Sequence, residues 1–520
     1  MKNHQILIFI IVFLTSCTSV SKYNTQRMSC IPPEKLREDV DYAYNKLKEM
    51  HPNLYWYISE QDLKYKFDSL KNTLNTPLSP LQFYFRLQPL IASVREGHLS
   101  LKVPARRFTK KEVKALEHTK GLFSRFGYYV EGDRLFIVSN ADSIQNIQPG
   151  TEILSINHVP VSDYMKKYRK LISSDGFNTT FYPYYLKDVF FNFYTAEHGF
   201  DNQAVLETVY QGQHKTYTLK RESKSESELA SEKKQAKLTP EKKVHDYDAF
   251  TQSYNRSFSF LDQDSTVAYI KVKSFSESHS EQFYKDAFAR IKAAGASYLI
   301  LDIRNNYGGS LYEINHLYSY LTSEPYTLIH PSQLASAKTP LKTNYFRQSS
   351  PWQYIIKGIT YPVYLTTQAF STYSRDGKTY YRMKESRPNK PQPNAFTGKL
   401  FVLINGSSFS ASSILASKLK NDHRATLIGE ETGGANDGTV AGFYSYQQLP
   451  NSKLSLPVGL LLVQPDISFS GTRKGVVPDV TIRENMQEVI DHQDPEMNWV
   501  MSTIMMEKGT LVRPNAGIKR

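Results

Sequence analysis

The stretch Lys399–Lys420, KLFVLINGSSFSASSILASKLK, restricts the fold of this chain more than any other. Its apolar run, Leu400 to Ile404, has the continuity of a strand buried within a sheet. Asn405-Gly406 breaks the run. Ala411, Leu415 and Leu419 then recur every four residues, the spacing of an amphipathic helix. Ser410 stands where turn becomes helix. A serine there, or Ser408 before it, can simply cap the helix. It can also be a nucleophile, exposed on a turn beside helix-end amides that favour developing negative charge.

At 520 residues the chain is too long for one ordinary core, so several domains are expected. Its 40% apolar and 22% charged residues suit a soluble globular protein. The net charge of +14 is spread along the chain, as on a solvated surface, rather than clustered for an anionic partner. No zinc-finger, phosphate-loop or dinucleotide spacing occurs, so no nucleic-acid partner is expected.

Lys2 precedes a short apolar segment, Ile6 to Leu14, too short to span a bilayer but laid out as a secretory signal peptide. Leu14-Thr15-Ser16-Cys17 resembles the lipobox of bacterial lipoproteins, which implies lipid on Cys17. Residues 1–17 are thus expected to be a lipoprotein signal peptide and 18–32 a tether. Only Cys30 then remains, which leaves no intramolecular disulfide.

Residues 33–118 read as a helical domain. One helix carries Leu36, Val40, Ala43 and Leu47 on a stripe, a second spans Leu63 to Leu74, and a third starts at Ser79-Pro80. The third is predicted to stop at Gly97, with His98 held before an alternating strand, Leu99, Leu101 and Val103. Residues 119–220 carry short strands around QPGTEILSINHVPV, Gln148 to Val161, which resembles the core of a PDZ domain. Residues 221–245 are nearly all polar and read as a charged linker. From 246 to 490 the pattern is α/β. A buried strand there ends in Asp302-Ile303-Arg304-Asn305-Asn306-Tyr307-Gly308-Gly309, whose glycines let backbone N–H groups approach an oxyanion or form a tight turn. Within this unit, about 324–395 reads as an insertion, a candidate lid. Residues 491–520 form a tail, helical and then loose.

These motifs together resemble the tail-specific (C-terminal processing) serine peptidases, in particular their tricorn-like branch. The carriers are REGHLSL, QPGTEILSIN, LDIRNNYGGSL, VLINGSSFSASSI, IGEETGG and KGVVPDV, spread over roughly residues 34–485. The resemblance implies an α/β (α+β multidomain) fold: a helical domain, a PDZ-like β domain and a crotonase-like α/β serine peptidase domain. It further implies Ser410 as nucleophile, His98 as general base, and the amides of Gly309 and Ala411 as oxyanion hole. No metal or organic cofactor is needed. The lysine base of the processing branch is absent, its position being Ala435. Two tricorn-type positions also differ: the serine before the histidine is Gly97, and the orienting glutamate is Thr472. Glu430 or Glu96 could orient His98 instead.

The expected function is that of a serine-type endopeptidase acting on unfolded proteins or peptides in the cell envelope. The membrane partner is reached through the lipid at Cys17. The lack of acidic residues after that cysteine favours the outer membrane facing the periplasm. A catalytically impaired binding lipoprotein on the same scaffold, or an esterase for small ligands, are the alternatives.

Overall fold

Apolar residues three and four apart fold the N-terminal region into helices, whose ends are set by capping chemistry. In order they are α1 (Val20–Met28), α2 (Pro33–Met50), α3 (Glu60–Thr73) and α4 (Pro80–Ala92). Leu36, Val40, Ala43 and Leu47 are completely buried along α2. Ser59 caps α3, and Ser79 with Gln82 forms a reciprocal capping box on α4. The computed structural model describes residues 19–140, 144–231, 246–248, 253–347, 349–468 and 473–509. Cys17, Thr472 and most of the expected linker 221–245 lie outside the described residues.

Helix α4 stops at Ala92, before the predicted Gly97. The last turn tightens, with Ser93, Val94 and Arg95 N–H groups each reaching back three residues, and Arg95 takes a φ of +63°. The strand predicted after His98 is also absent. That segment is pinned one group at a time instead. Leu101 N–H donates to Gln88 Oε1 (2.7 Å), Ser173 Oγ donates to Leu99 O (2.5 Å), and Lys102 N–H donates to Ser455 O (3.0 Å). His98 is therefore held by three neighbouring elements rather than by a ladder.

The chain then builds an antiparallel sheet in the order β1 (Phe126–Glu131), β2 (Arg134–Asn140), β3 (Thr151–Ile156), β4 (Gln203–Tyr210), β5 (Gln213–Lys220). GTEILSIN supplies its central strand, and α5 (Phe181–His198) packs against the edge strand β1.

The second half is a mixed six-stranded sheet. Its strands are β6 (Arg256–Phe260), β7 (Val267–Val272), β8 (Tyr298–Asp302), β12 (Lys399–Ile404), β13 (Thr426–Gly429) and β16 (Val480–Thr481). They lie side by side in that order, antiparallel at β6–β7 and parallel elsewhere. Helices α6 (Ser280–Ala294), α7 (Leu311–Ser319) and α9 (Ala411–Asn421) share its main core. The opposite face is covered by α10 (Pro495–Glu507) through Val500 and Ile504. Asp302, Leu403 and Ile428 stand in register, so β8, β12 and β13 end at one edge. In open α/β sheets that carboxyl edge is where ligands bind.

A third, antiparallel sheet runs β10 (Thr372–Arg375), β11 (Lys378–Tyr381), β9 (Ser332–Leu334), β15 (Ser455–Val463), β14 (Thr439–Gln448). Three of its strands come from the segment expected to be a lid. That segment is built into the sheet through the Gln333–Leu462 pairing. From it projects α8 (Pro351–Ser371). Strand β15 serves two cores at once. Leu456, Val458 and Leu460 belong to the core of the N-terminal helices, while Leu461 and Val463 on its other face belong to that of the mixed sheet.

Candidate active site

The elbow after β12 is fixed by side chains that fold back on the backbone. Asn405 Oδ1 accepts from the N–H groups of Asn305 and Ser407, each at 3.0 Å. Ser408 Oγ donates to Ile303 O (2.8 Å) and accepts from Asn405 N–H (3.1 Å), so Ser408 is a structural residue. Ser412 Oγ donates to Asn306 O (2.8 Å), and Ser413 Oγ to Ser408 O (2.9 Å). Ser410 stands apart. It has φ +55° and ψ −118°, and although it occupies the N-cap position its side chain makes no capping hydrogen bond. A non-glycine residue held in that region is strained, and such strain recurs where a side chain must be presented rather than packed. The capping role is thus not the one Ser410 performs.

Two glycine turns close on this elbow. A Cβ on Gly308 would lie 2.7 Å from Phe409 O and from Ser410 Cβ and 2.9 Å from Ala411 N; one on Gly434 would lie 2.8 Å from Ser410 N. No larger residue fits at either point. Gly308 N–H is occupied, donating to Asn306 Oδ1 (2.8 Å). The N–H groups of Gly309 and Ala411 have no hydrogen-bond partner among the described residues. Gly309 is held by a bridge to Phe275, with its φ at +138°.

His98 arrives from the other core. Its ring lies 5.1 Å from the ring of Phe409, the residue immediately before Ser410. Phe409 also fills the space beside Gly97, where an added Cβ would sit 2.3 Å from its Cζ. A serine at 97 would therefore displace Phe409. His98 Nδ1 is 3.0 Å from Thr439 Oγ1, and Thr439 Oγ1 donates to Asp175 Oδ1 at 3.3 Å. Asp175 Oδ1 also accepts from Gly97 N–H at 2.6 Å, which ties the carboxylate to the backbone beside the histidine.

Neither glutamate considered for orienting His98 does so. Glu430 accepts from Tyr184 OH and pairs with Arg483 at 3.3 Å. Glu96 accepts from Val440 N–H at 3.3 Å. Thr439 and Asp175 take that place. Their sequence positions gave little signal, because they lie 341 and 77 residues from His98. A buried acid in the polar string Ser173-Ser174-Asp175-Gly176 is the one local hint.

The electrostatics of this corner are unusual. Burial pushes the His98 pKa down to about 4, so the imidazole is neutral at neutral pH. Asp175 is pushed up to about 7, first by burial and further by Asp437, against the pull of the Gly97 amide, the Thr439 hydroxyl and the Ala435 amide. Glu96 lies well above the usual carboxylate range through burial and the neighbouring Asp175. Glu96 Oε1 and Asp175 Oδ2 are buried without a partner.

On the first sheet, a groove of about 420 Å³ runs between β1 and α5, lined among others by Gly121, Phe123, Tyr128, Phe191 and Arg221. Among the described residues no cluster of side chains is suited to hold a metal ion.

A strained serine on a strand-to-helix elbow, free amides beside it and a histidine from a second core mark this corner as the candidate active site. Sequence comparison bears on the same region: residues 266–482 match the model of peptidase family S41. No protein of curated function matches the chain in sequence. The structure of mature CPAF covers 99% of its own length and 92% of this chain at a TM-score of 0.59 and 16% identity. That of mature CPAF complexed with lactacystin gives the same coverage and TM-score at 15% identity. The chain thus shares its fold, across nearly its whole length, with these structures.

Proposed function

We propose that this protein is a serine-type peptidase in which Ser410 is the nucleophile and His98 the general base. The observation that carries the reading is the His98–Thr439–Asp175 chain. A hydroxyl has one proton to give. When Thr439 gives it to Asp175, its lone pair accepts the proton on His98 Nδ1. The ring is then the Nδ1–H tautomer, and Nε2 is left as the basic nitrogen.

Nε2 takes the Ser410 proton as Oγ bonds to the substrate carbonyl carbon. The carbonyl oxygen becomes an oxyanion held by the N–H groups of Gly309 and Ala411. The tetrahedral species expels the amine, which takes the proton from Nε2–H, and leaves an acyl-Ser410 ester. Water resolves that ester by the same steps. Thr439 and Asp175 thereby supply from other parts of the chain what Gly97 and Thr472 do not. Endopeptidase action on unfolded polypeptides fits the groove on the first sheet, whose aromatic wall and Arg221 suit an apolar chain end bearing a carboxylate. The lipobox-like sequence at Cys17 supports a lipid-anchored, periplasm-facing protein.

The test uses the chain from Thr18 onward, which keeps every described residue. Wild type, Ser410→Ala and His98→Ala are compared for labelling by a fluorophosphonate and cleavage of unfolded casein. Labelling and cleavage by wild type, with both lost in each variant, are expected. An inert wild type that still binds peptides would leave a binding protein on this scaffold.

A further inference from the structure

Helix α8 faces the wrong way for a helix of a soluble surface. Its inner side rests on the protein through Tyr361, Tyr364 and Gln368; Tyr364 OH donates to Pro340 O at 3.0 Å, and Gln368 is buried. Its outer side is apolar. Trp352 (69% exposed), Ile355, Ile356, Ile359 (74%), Val363 (68%) and Phe370 (82%) follow one another at helical spacing within a single stripe. The helix has no acidic residue, and its single cation, Lys357, turns inward to donate to Tyr345 O at 2.8 Å. A continuous exposed stripe of this kind marks a surface that is covered in use.

Three observations select the cover. The segment that carries the helix, residues 324–395, holds ten lysines and arginines against three acidic residues. Two of those cations flank the stripe. Arg382 and Arg387 line a groove with Thr366, Thr367 and Phe370, and neither forms an ion pair among the described residues. The chain's N-terminal arm also reaches this part of the molecule: Arg27, near the end of α1, lines one groove with Tyr345, Phe346 and Tyr361. Arg27 is the eighth of the nine residues of α1, Val20–Met28, so the described N-terminus of the chain starts on this side of the body. The 21-residue helix is not apolar enough to cross a bilayer.

We propose that the outer face of α8 is a membrane-seating surface, which lies in the headgroup region of an anionic phospholipid bilayer with Arg382 and Arg387 on lipid phosphates. Apolar side chains enter the acyl boundary while the flanking cations gain the surface potential, the two terms that hold an interfacial helix. The tyrosines beneath the helix keep it on the body as it seats. A lipid at Cys17 and this face would engage the same bilayer, and two weak anchors together hold far longer than either. The proposal does not depend on the peptidase reading.

The test is flotation of the chain from Thr18 onward, which carries no lipid, with vesicles of phosphatidylcholine alone or with added phosphatidylglycerol. Wild type is expected to float with the anionic vesicles and weakly with the neutral ones. The double variant Ile359→Ser, Val363→Ser, at two exposed positions, is expected to lose about tenfold or more in binding to both. The double variant Arg382→Gln, Arg387→Gln should fall on anionic vesicles toward the neutral level. Cleavage of a soluble peptide, measured alongside, should be unchanged in all of them. Failure of wild type to float with either vesicle would overturn the proposal. A concentration-dependent dimer that the Ile359→Ser, Val363→Ser variant abolishes, without vesicle binding, would reassign the face to a second copy of the chain.

Discussion

Two buried polar clusters are built on opposite principles. At the β6 edge of the mixed sheet Arg256 and Glu313, both side chains wholly buried, form a bidentate pair with contacts of 2.7 and 2.6 Å. Tyr284 OH and Glu277 N–H each add a hydrogen bond to Glu313 at 2.8 Å, and Asp246 pairs with the guanidinium. Every oxygen of Glu313 is answered. Beside His98, Glu96, Asp175 and Asp437 are gathered with no cation paired to any of them among the described residues, and two of their oxygens are unanswered. The first cluster holds a shape. The second holds charge in an uncomfortable place, which is how active sites tune proton affinity. Asp246 Oδ2 in the first cluster is also buried without a hydrogen-bond partner, so the lesson is that a paired cation, more than burial itself, separates a structural charge from a working one.

The sharpest way to separate the clusters is to remove one part from each. Ser410→Ala or His98→Ala should lower kcat by about 10⁴-fold or more, the scale on which a nucleophile–base pair fails, with the thermal midpoint nearly unmoved. Steady-state kinetics and calorimetry read both. Arg256→Met should do the reverse. It strands Glu313 in the interior and costs about 3–5 kcal/mol in a urea titration, while kcat per folded molecule stays the same.

Next in size come the groups that orient His98. Thr439→Val should lower kcat by about 10²-fold, because it removes the acceptor that fixes the tautomer, and leave KM nearly unchanged. Asp175→Asn should cut the rate on a similar scale, but its signature is in pH. With burial pushing the His98 pKa down to about 4, the wild-type rate is expected to rise through pH 7 as Asp175 ionises, and the asparagine variant should lose that limb. The stability sign follows from linkage. The Asp175 carboxyl is pushed in the fold from its ordinary 3.8 up to about 7, so the fold prefers its neutral form and loses stability as pH rises between those values. Asp175→Asn should therefore raise, not lower, the midpoint at pH 8. The smallest effect is expected for Glu96→Gln. Burial and the neighbouring Asp175 hold its carboxyl well above the usual carboxylate range, and the amide oxygen can keep the bond to Val440 N–H, so stability should change by about 0.5 kcal/mol or less.

The parts of the site legible in sequence were those that local pattern encodes. A buried strand, an Asn-Gly break and four-residue spacing placed Ser410 at the turn. The paired glycines announced the close approach that Gly308 makes to the elbow. The end of α4 was misplaced because Val94 continued the apolar spacing while Arg95 had already left the helix. Thr439 and Asp175 were missed for a deeper reason: threonine at a strand start and aspartate in a loop are ordinary locally. Only the packing of three distant segments makes them partners. The outward stripe of α8 was missed in a similar way. Its spacing is that of any amphipathic helix, and only the structure tells which side faces out.

Strand β15 has a consequence for how such a molecule can be inherited. With one face in each of two cores, it leaves no seam along which the halves can be separated. A gene fragment ending before it would strip the helical half of Leu456, Val458 and Leu460, and a fragment beginning at the mixed-sheet half would expose them. His98 and Ser410, drawn from different cores, are therefore bound to travel together. Recombination can exchange the outer sheet or the basic segment around α8, but it cannot hand the serine to a new partner without its histidine.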